Sequence, residues 1–414
     1  MANNSNLGAA KAAKNDEFYT QYADIQKEIN AYLEYNPDTF RDKTVLLPCD
    51  DPEWSNFTRF FAQNFERLGL KRLISTSYAV ESKKYKDYQP TLFETESPLF
   101  DVDKTRIKGK IFELDRDTDG SGRIDLDDLE WHYLEGDGDF RSKEVCRLRD
   151  EADIIVTNPP FSLFREFVAW IMEAGKGLLI IGNMNAITYK EIFPLVVANK
   201  LWYGPSISSG DREFMIPDSY PIEAAGWRID EKGKKFIRVK GVRWFTNLEH
   251  GRRHEPLKLM TMKDNLRFSK HKDLREIAYQ KYDNYDAIEV PYTDVIPSDY
   301  DGVMGVPISF LDKYCPEQFE ILGITDRGNI YGLKTKEYTS DKIPNANDLN
   351  RRAAYYEAVQ MGGGYNSQVN SNLRKVANSQ EILSKLIIPG YDKYDRPYIN
   401  GERKYARILI RKKQ

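Results

Sequence analysis

The stretch Asp153-Ile-Ile-Val-Thr-Asn-Pro-Pro-Phe-Ser162 decides the fold of this 414-residue chain. Its first part, Asp153–Val156, has the unbroken apolar character of a buried strand. Ser162 is a suitable helix cap, and the apolar residues after it recur on one helical face as far as Gly175. The tetrapeptide Asn158-Pro159-Pro160-Phe161 therefore lies between the carboxyl end of a strand and a helix. Open α/β sheets bind their ligands at this edge.

The segments around this stretch repeat the alternation of strand and helix. Apolar runs predict further strands at Thr44–Leu47, Leu73-Ile74, Lys110–Leu114 and Gly177–Ile181. After the first of them, Ser55 can cap a helix that carries apolar residues on one side and ends at Gly69. Buried strands separated by helices are typical of parallel sheets covered on both faces. The sequence thus predicts an α/β fold with a parallel, doubly wound sheet.

The tetrapeptide has the chemistry to bind a planar group that bears an exocyclic amine. Its two prolines remove two N–H donors and stiffen the loop, so carbonyl groups remain as acceptors at fixed positions. The amine can donate its hydrogens to the Asn158 side chain and the Pro159 carbonyl while the ring stacks on Phe161. We therefore predict that Asn158, Pro159, Pro160 and Phe161 form a functional site.

At this point the sequence resembles the amino-methyltransferases that use S-adenosylmethionine, whose signature is Asp, Asn or Ser followed by Pro-Pro and Tyr or Phe. More narrowly, it resembles the EcoRI-type adenine-specific DNA methyltransferases, over about residues 15–325. Further segments support this resemblance in the family's order: Asn15–Thr20, Pro48–Pro52, Gly136–Ser142, Ile181–Ile187, Val242–Leu248 and Met304–Pro307. The resemblance implies a Rossmann-like doubly wound methyltransferase sheet with a C-terminal mixed α/β target-recognition region.

The resemblance also implies an activity. A methyl group would pass from S-adenosylmethionine to the N6 amine of an adenine in double-stranded DNA, at a specific site. The enzyme would be a restriction-modification or orphan modification enzyme, a monomer, with a cognate restriction endonuclease as its possible partner. Because an adenine inside a duplex cannot reach the methyl donor, the base must be flipped out. Asn158–Phe161 are then the catalytic residues, and Trp244 or Phe245 is expected to contact the target base.

Eight positions match the family's cofactor-binding segments. They are Phe18, Tyr19, Thr20, Cys49, Asp50, Asp51, Asp139 and Phe140. The resemblance places Asp139 at the amino group of the cofactor's adenine and Phe140 against its ring. Two features depart from the family pattern. Cys-Asp-Asp-Pro stands where a glycine-rich loop usually follows the first strand, and the second strand ends in Ser75–Tyr78 without the usual acid for the ribose hydroxyls.

Charge is unevenly distributed along the chain, although 61 Lys and Arg nearly balance 64 Asp and Glu. Residues 113–139 hold 11 acidic and two basic side chains, whereas residues 228–282 hold 16 basic and seven acidic ones. A local excess of positive charge can bind a polyanion even when the whole protein is neutral. The expected DNA-binding residues are Arg252, Arg253, Lys258, Lys263, Arg267, Lys270 and Lys272.

These observations suggest a domain organisation. Residues 1–15 form a flexible arm, residues 16–255 a catalytic methyltransferase domain, and residues 256–414 a target-recognition region. Three scattered cysteines without a CxxC pair argue against a disulfide framework or a zinc ribbon. No apolar run reaches the ~18 residues that a membrane span needs. A cytoplasmic enzyme of bacterial or phage origin is therefore expected, with no membrane partner.

Several alternatives stay open. N4-cytosine DNA methyltransferases, RNA methyltransferases and protein-glutamine methyltransferases use similar loops, because they too methylate a planar amine or amide. Pro48-Cys49 also resembles the nucleophile dipeptide of cytosine-C5 methyltransferases, although no glycine loop precedes it. We expect no metal, but one acidic segment resembles a calcium-binding EF-hand loop and supports a non-enzyme alternative. Its candidate ligands are Asp117, Asp119, Ser121, Asp125 and Asp128.

Overall fold

A computed structural model describes residues 20–48, 50, 55–79, 97–208, 212–216, 227–325 and 396–413. The chain divides into two units. The first unit comprises Met1–Ile192 with Lys200–Gly251, and the second comprises Phe193–Asn199 with Arg252–Gln414. The predicted arm and residues 326–395 lie outside the described residues.

A mixed eight-stranded sheet forms the centre of the first unit, in the order β4-β3-β2-β1-β5-β6-β11-β7. Its strands are β1 (Thr44–Leu47), β2 (Arg72–Ser77), β3 (Lys110–Leu114), β4 (Glu130–Tyr133), β5 (Ile154–Thr157), β6 (Gly177–Asn183), β7 (Trp202–Tyr203) and β11 (Val242–Thr246). Strands β2, β1, β5 and β6 are parallel, and the outer strands are antiparallel to their neighbours. The fold is therefore mixed α/β.

The prediction of a wholly parallel sheet was wrong at its edges. Strand β3 was expected to continue the parallel set, but it pairs antiparallel with β2, from Leu73 opposite Leu114 to Ser77 opposite Lys110. Strand β4 then returns antiparallel to β3. Antiparallel strands need no helical crossover, and apolar runs alone do not distinguish the two directions. The antiparallel edges leave β1 and β5 at the centre of the parallel strands.

Some helices of the first unit begin at a side-chain cap, whereas others have none. The helices are α1 (Tyr22–Tyr35), α2 (Asn56–Gln63), α3 (Phe65–Leu68), α4 (Val102–Ile107), α5 (Lys143–Glu151) and α6 (Phe164–Glu173). The predicted cap is confirmed, because the Ser55 hydroxyl accepts a hydrogen bond from the Phe57 N–H at the start of α2. The predicted end is also confirmed, since Gly69 follows α3 in the left-handed conformation that favours glycine.

Apolar side chains cover both faces of this sheet. On one face, Ile29 of α1 and Phe57 of α2 belong to a buried cluster that includes Val45 of β1. On the opposite face, Phe164 of α6 contacts Phe245 of β11, with ring centroids 4.9 Å apart. Helices on both faces bury β1 and β5 completely. The carboxyl ends of these two strands are thus fixed by a packed core.

A small three-stranded antiparallel sheet in the order β8-β10-β9 also belongs to the first unit. Its strands are β8 (Arg212–Ile216), β9 (Trp227–Ile229) and β10 (Lys235–Val239). Strand β10 is close in sequence to β11, but the two strands belong to different sheets.

The second unit contains its own four-stranded sheet, β12-β13-β17-β14, and a two-stranded sheet, β15-β16. The strands are β12 (Ile288–Glu289), β13 (Met304–Val306), β14 (Phe319–Ile324), β15 (Tyr398–Ile399), β16 (Glu402–Arg403) and β17 (Ile408–Lys412). Its helices are α7 (Phe193–Val197), α8 (Met262–Phe268) and α9 (Lys272–Ile277). Among the described residues of both units, no helix is long and apolar enough to cross a membrane.

Candidate active site

The loop Asn158–Phe161 directly follows β5 at the carboxyl edge of the parallel strands. Pro159 is buried, whereas Asn158, Pro160 and Phe161 are half-buried. Phe161 packs partly against the apolar core. The loop therefore has a fixed base in the core and keeps part of its surface accessible to a ligand.

The helix after this loop begins differently from the prediction. The Leu163 N–H donates a hydrogen bond to the Pro160 carbonyl oxygen over 2.9 Å, which closes a 3₁₀ turn over Phe161–Leu163. Ser162 lies inside this turn, so its side chain does not cap α6, which begins at Phe164. The predicted Ser162 cap was wrong because the tight turn starts at the second proline.

Hydroxyl and carboxylate groups join the ends of three parallel strands beneath the loop. Asp50, which follows β1 and is 7% exposed, accepts hydrogen bonds through its carboxylate from the hydroxyls of Thr157 and Ser55, the latter over 2.8 Å. Its backbone carbonyl accepts a hydrogen bond from the Ser75 hydroxyl at the end of β2. The Thr157 hydroxyl also lies 2.8 Å from the Pro48 carbonyl oxygen. Residue 157 immediately precedes Asn158, so this network anchors the start of the loop.

Sequence reasoning missed this hydrogen-bond network, although two hydroxyl residues indicated it. Thr157 ends the apolar run of β5, and Ser75 follows the apolar pair Leu73-Ile74 in β2. A hydroxyl at a fully buried position needs a hydrogen-bond partner, which pointed to a polar group nearby. Asp50 was predicted to contact the cofactor. Its carboxylate instead holds Ser55 and Thr157, and a contact with the cofactor remains a prediction.

The N-terminal cofactor segment is only partly described. Phe18, Tyr19, Cys49 and Asp51 lie outside the described residues. Thr20 is buried, and its backbone carbonyl accepts a hydrogen bond from the Asn56 side chain at the start of α2, over 2.7 Å. This contact brings Thr20 to the amino end of the helix that follows Asp50.

The segment Gly136–Phe140 crosses the end of β2 at close range. Gly138 is in the left-handed conformation with φ +87°, and a β-carbon at this position would collide with the Ser77 carbonyl oxygen. Gly109 meets the same oxygen, since a β-carbon there would lie 2.5 Å from it. Only glycine allows this approach, which brings Asp139 close to the carboxyl end of β2.

Asp139 is held in its ionised form by Arg141. The Arg141 guanidinium donates to both carboxylate oxygens, over 2.9 Å from Nε and 2.6 Å from Nη2, and the Arg141 N–H adds a third hydrogen bond over 2.8 Å. The hydrogen bonds from Arg141 lower the pKa of the Asp139 carboxyl below its ordinary value. Arg141 also reaches Glu166 on α6, at 3.3 Å. An ionised carboxylate at this edge can accept a hydrogen bond from an amino group.

Phe140 does not have an open ring face in this structure. The side chain is 1% exposed and packs against Phe167 and Trp170 of α6, with ring centroids 5.0 Å and 5.5 Å away. The expected stacking of Phe140 on the cofactor's adenine ring is therefore not met by this packing. The packed Phe140 side chain instead holds the backbone next to Asp139 in place.

Trp244 and Phe245 are also in the core, which corrects their predicted contact with the target base. Both side chains are fully buried on opposite faces of β11. Trp244 contacts Phe57 with ring centroids 5.9 Å apart, and Phe245 contacts Phe164 and Tyr203. These aromatic contacts cover both faces of β11, so neither side chain is accessible to a base.

Most of the predicted DNA-binding residues lie on the surface of the second unit. Lys258, Lys263, Arg267, Lys270 and Lys272 are exposed, and Arg252 is half-buried. Lys263 and Arg267 belong to α8, and Lys272 begins α9. Arg253 is the exception, because it is 3% exposed and donates a hydrogen bond to Asn199 within the same unit. Its guanidinium is buried within the unit and is not accessible to a phosphate, so its predicted role was wrong.

The acidic loop brings together three of its five candidate ligands. Carboxylate oxygens of Asp117, Asp119 and Asp128 lie within 4.8 Å of one another. Asp117 accepts hydrogen bonds from the N–H groups of Gly120 and Gly122, each over 2.7 Å. Backbone donors also lower the pKa of the Asp128 carboxyl. These hydrogen bonds satisfy the acidic groups within the loop, so its geometry alone does not indicate a metal.

Comparisons with known proteins agree with this arrangement. A family model described as adenine-specific methyltransferase EcoRI matches residues 6–413. The chain is 42% identical over 321 residues to the Type II methyltransferase M.EcoRI of Escherichia coli, an alignment that covers 78% of this chain and 89% of that protein. It is 33% identical over 359 residues to the Type II methyltransferase M.MpnI of Mycoplasma pneumoniae, with 84% of this chain and 96% of that protein covered. No solved structure matches the chain.

Proposed function

The chain belongs to the EcoRI-type adenine-specific methyltransferase family and is a DNA adenine methyltransferase, and on this basis we propose which of its residues carry out the transfer. Family membership confirms the resemblance found in the sequence. It also implies S-adenosylmethionine as the methyl donor. The observation that carries the proposal is the Asn158–Phe161 loop at the carboxyl end of β5, anchored from below through Thr157 and Asp50.

We propose that the first unit has a Rossmann-like methyltransferase arrangement. The four parallel strands at the sheet centre, with helices packed on both faces, support this assignment. In such sheets the ligand lies beyond the carboxyl ends of the strands. Asn158, Asp50 and the Gly136–Phe140 segment all lie at the ends of neighbouring strands, which are the positions a cofactor and a target base would need.

Asn158 and Pro159 would orient the adenine amine. The Asn158 side-chain carbonyl and the Pro159 backbone carbonyl accept the two N6 hydrogens, which directs the nitrogen lone pair away from them. Phe161 would stack on the purine ring, and base–aromatic stacking contributes about 1–3 kcal/mol. That contribution offsets part of the few kcal/mol needed to flip the base out of the duplex. Orientation of this kind raises the rate because the amine is already aligned with the methyl group before the reaction begins.

The residues at the end of β2 fit the cofactor in charge and shape. The ionised Asp139 carboxylate is a suitable acceptor for an adenine amino group, and Gly138 permits close backbone approach. Asp139 would therefore hold the adenine of S-adenosylmethionine, while Thr20 and Asp50 lie on the side of β1. When bound, the cofactor supplies an electrophilic methyl group on a sulfonium. The protein's own task is to orient the amine and to exclude water.

The second unit and the wider biological setting are also proposals. Its exposed cations Lys258, Lys263, Arg267, Lys270 and Lys272 would contact DNA phosphates, which position an enzyme on DNA without specifying sequence. Relatives are named Type II methyltransferases, so we propose that this chain modifies the recognition site of a restriction system and acts as a monomer. Family membership disfavours the non-enzyme calcium-binding alternative, which has only the acidic loop in its support.

The substrate class can be tested directly. The protein is incubated with methyl-labelled S-adenosylmethionine and, separately, with unmethylated genomic DNA, RNA or ribosomal protein. We expect label in DNA alone. Label in RNA or protein, with none in DNA, would overturn the assignment to DNA and favour the RNA or protein-glutamine alternative.

A further inference from the structure

Strands β9 and β10 form an antiparallel ribbon at one edge of the small sheet in the first unit. Trp227 pairs with Ile237 and Ile229 pairs with Lys235, while β8 covers the other side of β10. Strand β9 is therefore an edge strand, and all three of its residues are exposed. Residues 230–234 join the two strands.

Hydrogen bonds order the turn at the tip of this ribbon. The Asp230 carboxylate accepts from the N–H groups of Lys232, over 2.9 Å, and Lys234, over 2.8 Å. Gly233, in the left-handed conformation with φ +79°, donates its N–H to the Asp230 carbonyl oxygen over 3.0 Å. The turn therefore holds the backbone of both lysines in place and leaves their side chains exposed.

The ribbon carries positive charge that its own acids do not neutralise. Arg228 and Arg238 lie near Glu213, at 2.8 Å and 3.8 Å. By contrast, Lys232, Lys234 and Lys240 are exposed and make no ion pair with any residue in the described part of the chain. Residues 227–240 contain six basic and two acidic side chains, and one of those acids, Asp230, accepts hydrogen bonds from the turn. Residues 227–240 therefore carry a net charge of +4, although the turn at residues 230–234 itself holds two acidic and two basic side chains.

An exposed apolar strip lies beside these cations. On the face that Trp227 and Ile229 share with Ile237, Ile237 is 3% exposed and belongs to the core. Trp227 and Ile229 on the edge strand are 45% and 50% exposed. An exposed indole ring and exposed lysines on the same hairpin are a combination that suits nucleic acid, because the ring can contact bases or sugars while the ammonium groups contact phosphates.

We propose that the β9–β10 ribbon is a DNA-contacting element carried by the catalytic unit, in addition to the basic surface of the second unit. Lys232 and Lys234 contact phosphates of the duplex. Trp227 contacts bases or sugars in the groove that these phosphates border. Because β8 pairs with the whole of β10, this element would approach DNA with the exposed β9 edge and the turn. The proposal rests on DNA being the substrate, as argued above, and adds a surface that fixes the register of the catalytic unit on its target.

The test measures DNA binding of the full chain to a mixed-sequence duplex over a range of salt concentrations. Lys232→Gln combined with Lys234→Gln is compared with Lys27→Gln combined with Lys71→Gln, a control pair of exposed lysines elsewhere on the same unit. Loss of two phosphate contacts should lower the slope of log K against log salt by about 2 and weaken binding at least about tenfold. The control pair should retain the wild-type slope. Cofactor affinity and thermal stability should be unchanged in both.

A second variant separates the aromatic contact from the charge. Trp227→Ala should weaken duplex binding by about tenfold with little change in the salt slope, whereas Trp227→Phe should retain most of the affinity. Binding by the lysine and Trp227 variants that equals the control pair would overturn the proposal. Loss of self-association in place of DNA binding would also overturn it, and would assign the strip to a second copy of the chain. Binding is measured apart from methyl transfer, so a wild-type protein that binds DNA through the ribbon but leaves adenine unmethylated would contradict the proposed function alone.

Discussion

The hydroxyl of Thr157 donates a hydrogen bond to the buried carboxylate of Asp50, and this contact ties the last residue of β5 to a residue three positions beyond the end of β1. Both groups are buried, and the next residue after Thr157 is Asn158. A hydrogen bond of this kind contributes about 0.5–1.5 kcal/mol, and leaving its buried acceptor without the donor costs about 1–3 kcal/mol. The position of Asn158 is therefore set by a polar contact beneath it as well as by the sheet.

Replacing Thr157 by valine should slow methyl transfer without weakening cofactor binding. Valine has nearly the same shape but no hydroxyl, so Asp50 loses a donor and the loop loses its anchor. A small misplacement of reacting groups can cost about 100-fold in rate. We expect kcat to fall by about that factor in steady-state assays, with the dissociation constant for S-adenosylmethionine unchanged. Thr157→Ser, which keeps the hydroxyl, should restore most of kcat, and a valine variant as fast as wild type would exclude this role.

Removing the Arg141 side chain should make cofactor binding more sensitive to acid. The ordinary pKa of an Asp carboxyl is about 4. Arg141 lowers the pKa of Asp139 below that value, so the carboxylate stays ionised and able to accept a hydrogen bond at lower pH. In Arg141→Ala the pKa of the Asp139 carboxyl rises again. The part of the cofactor affinity that depends on the ionised carboxylate is then lost at a higher pH. Titration of cofactor binding from about pH 7 to about pH 3 covers the loss of affinity in the wild-type protein and in the variant. Arg147→Ala, an exposed arginine on α5, is the control, and identical acid limbs for both variants would contradict the prediction.

Gly138→Ala should destabilise the protein more than a matched glycine replacement. At Gly138 an added β-carbon suffers both the left-handed backbone, about 1–2 kcal/mol, and a collision with Ser77, about 1–3 kcal/mol more. Gly175 has φ +65° and nothing within 4 Å of its β-carbon position, so Gly175→Ala isolates the backbone cost. Chemical denaturation measures both free energies of unfolding. Equal losses of unfolding free energy in the two variants would show that the backbone at Gly138 can move away from Ser77.

Strands and caps of the first unit were predictable because they depend on local patterns. The apolar runs at Thr44–Leu47 and Gly177–Ile181 are strands, and Ser55 and Gly69 begin and end their helical segment as expected. The direction of β3 was not predictable, because a strand's own residues do not state which neighbour it joins. The false cap at Ser162 had a different cause, since a tight turn from Pro160 competed with the helix.

The candidate site shows the same division between local and tertiary information. Asn158–Phe161 could be found from its flanking strand and helix, but the partners of Asp50 come from two strands, β2 and β5, and from the cap of α2. Burial of Arg253 and Trp244 likewise depends on which elements cover them. Net charge indicated a basic region between residues 228 and 282, but only the structure separates the buried Arg253 from exposed cations such as Lys263.

The most direct test identifies the methylated nucleoside after reaction of the wild-type protein and of Asn158→Ala with unmethylated genomic DNA. The wild-type protein should produce N6-methyldeoxyadenosine alone, and Asn158→Ala should lower its yield per unit time by about 100-fold or more, since an orienting hydrogen bond is lost. Affinity for DNA should remain close to wild type, which separates orientation from binding. A methyl group on cytosine, or an Asn158→Ala enzyme that methylates adenine at the wild-type rate, would contradict the assignment of this loop to adenine-N6 transfer.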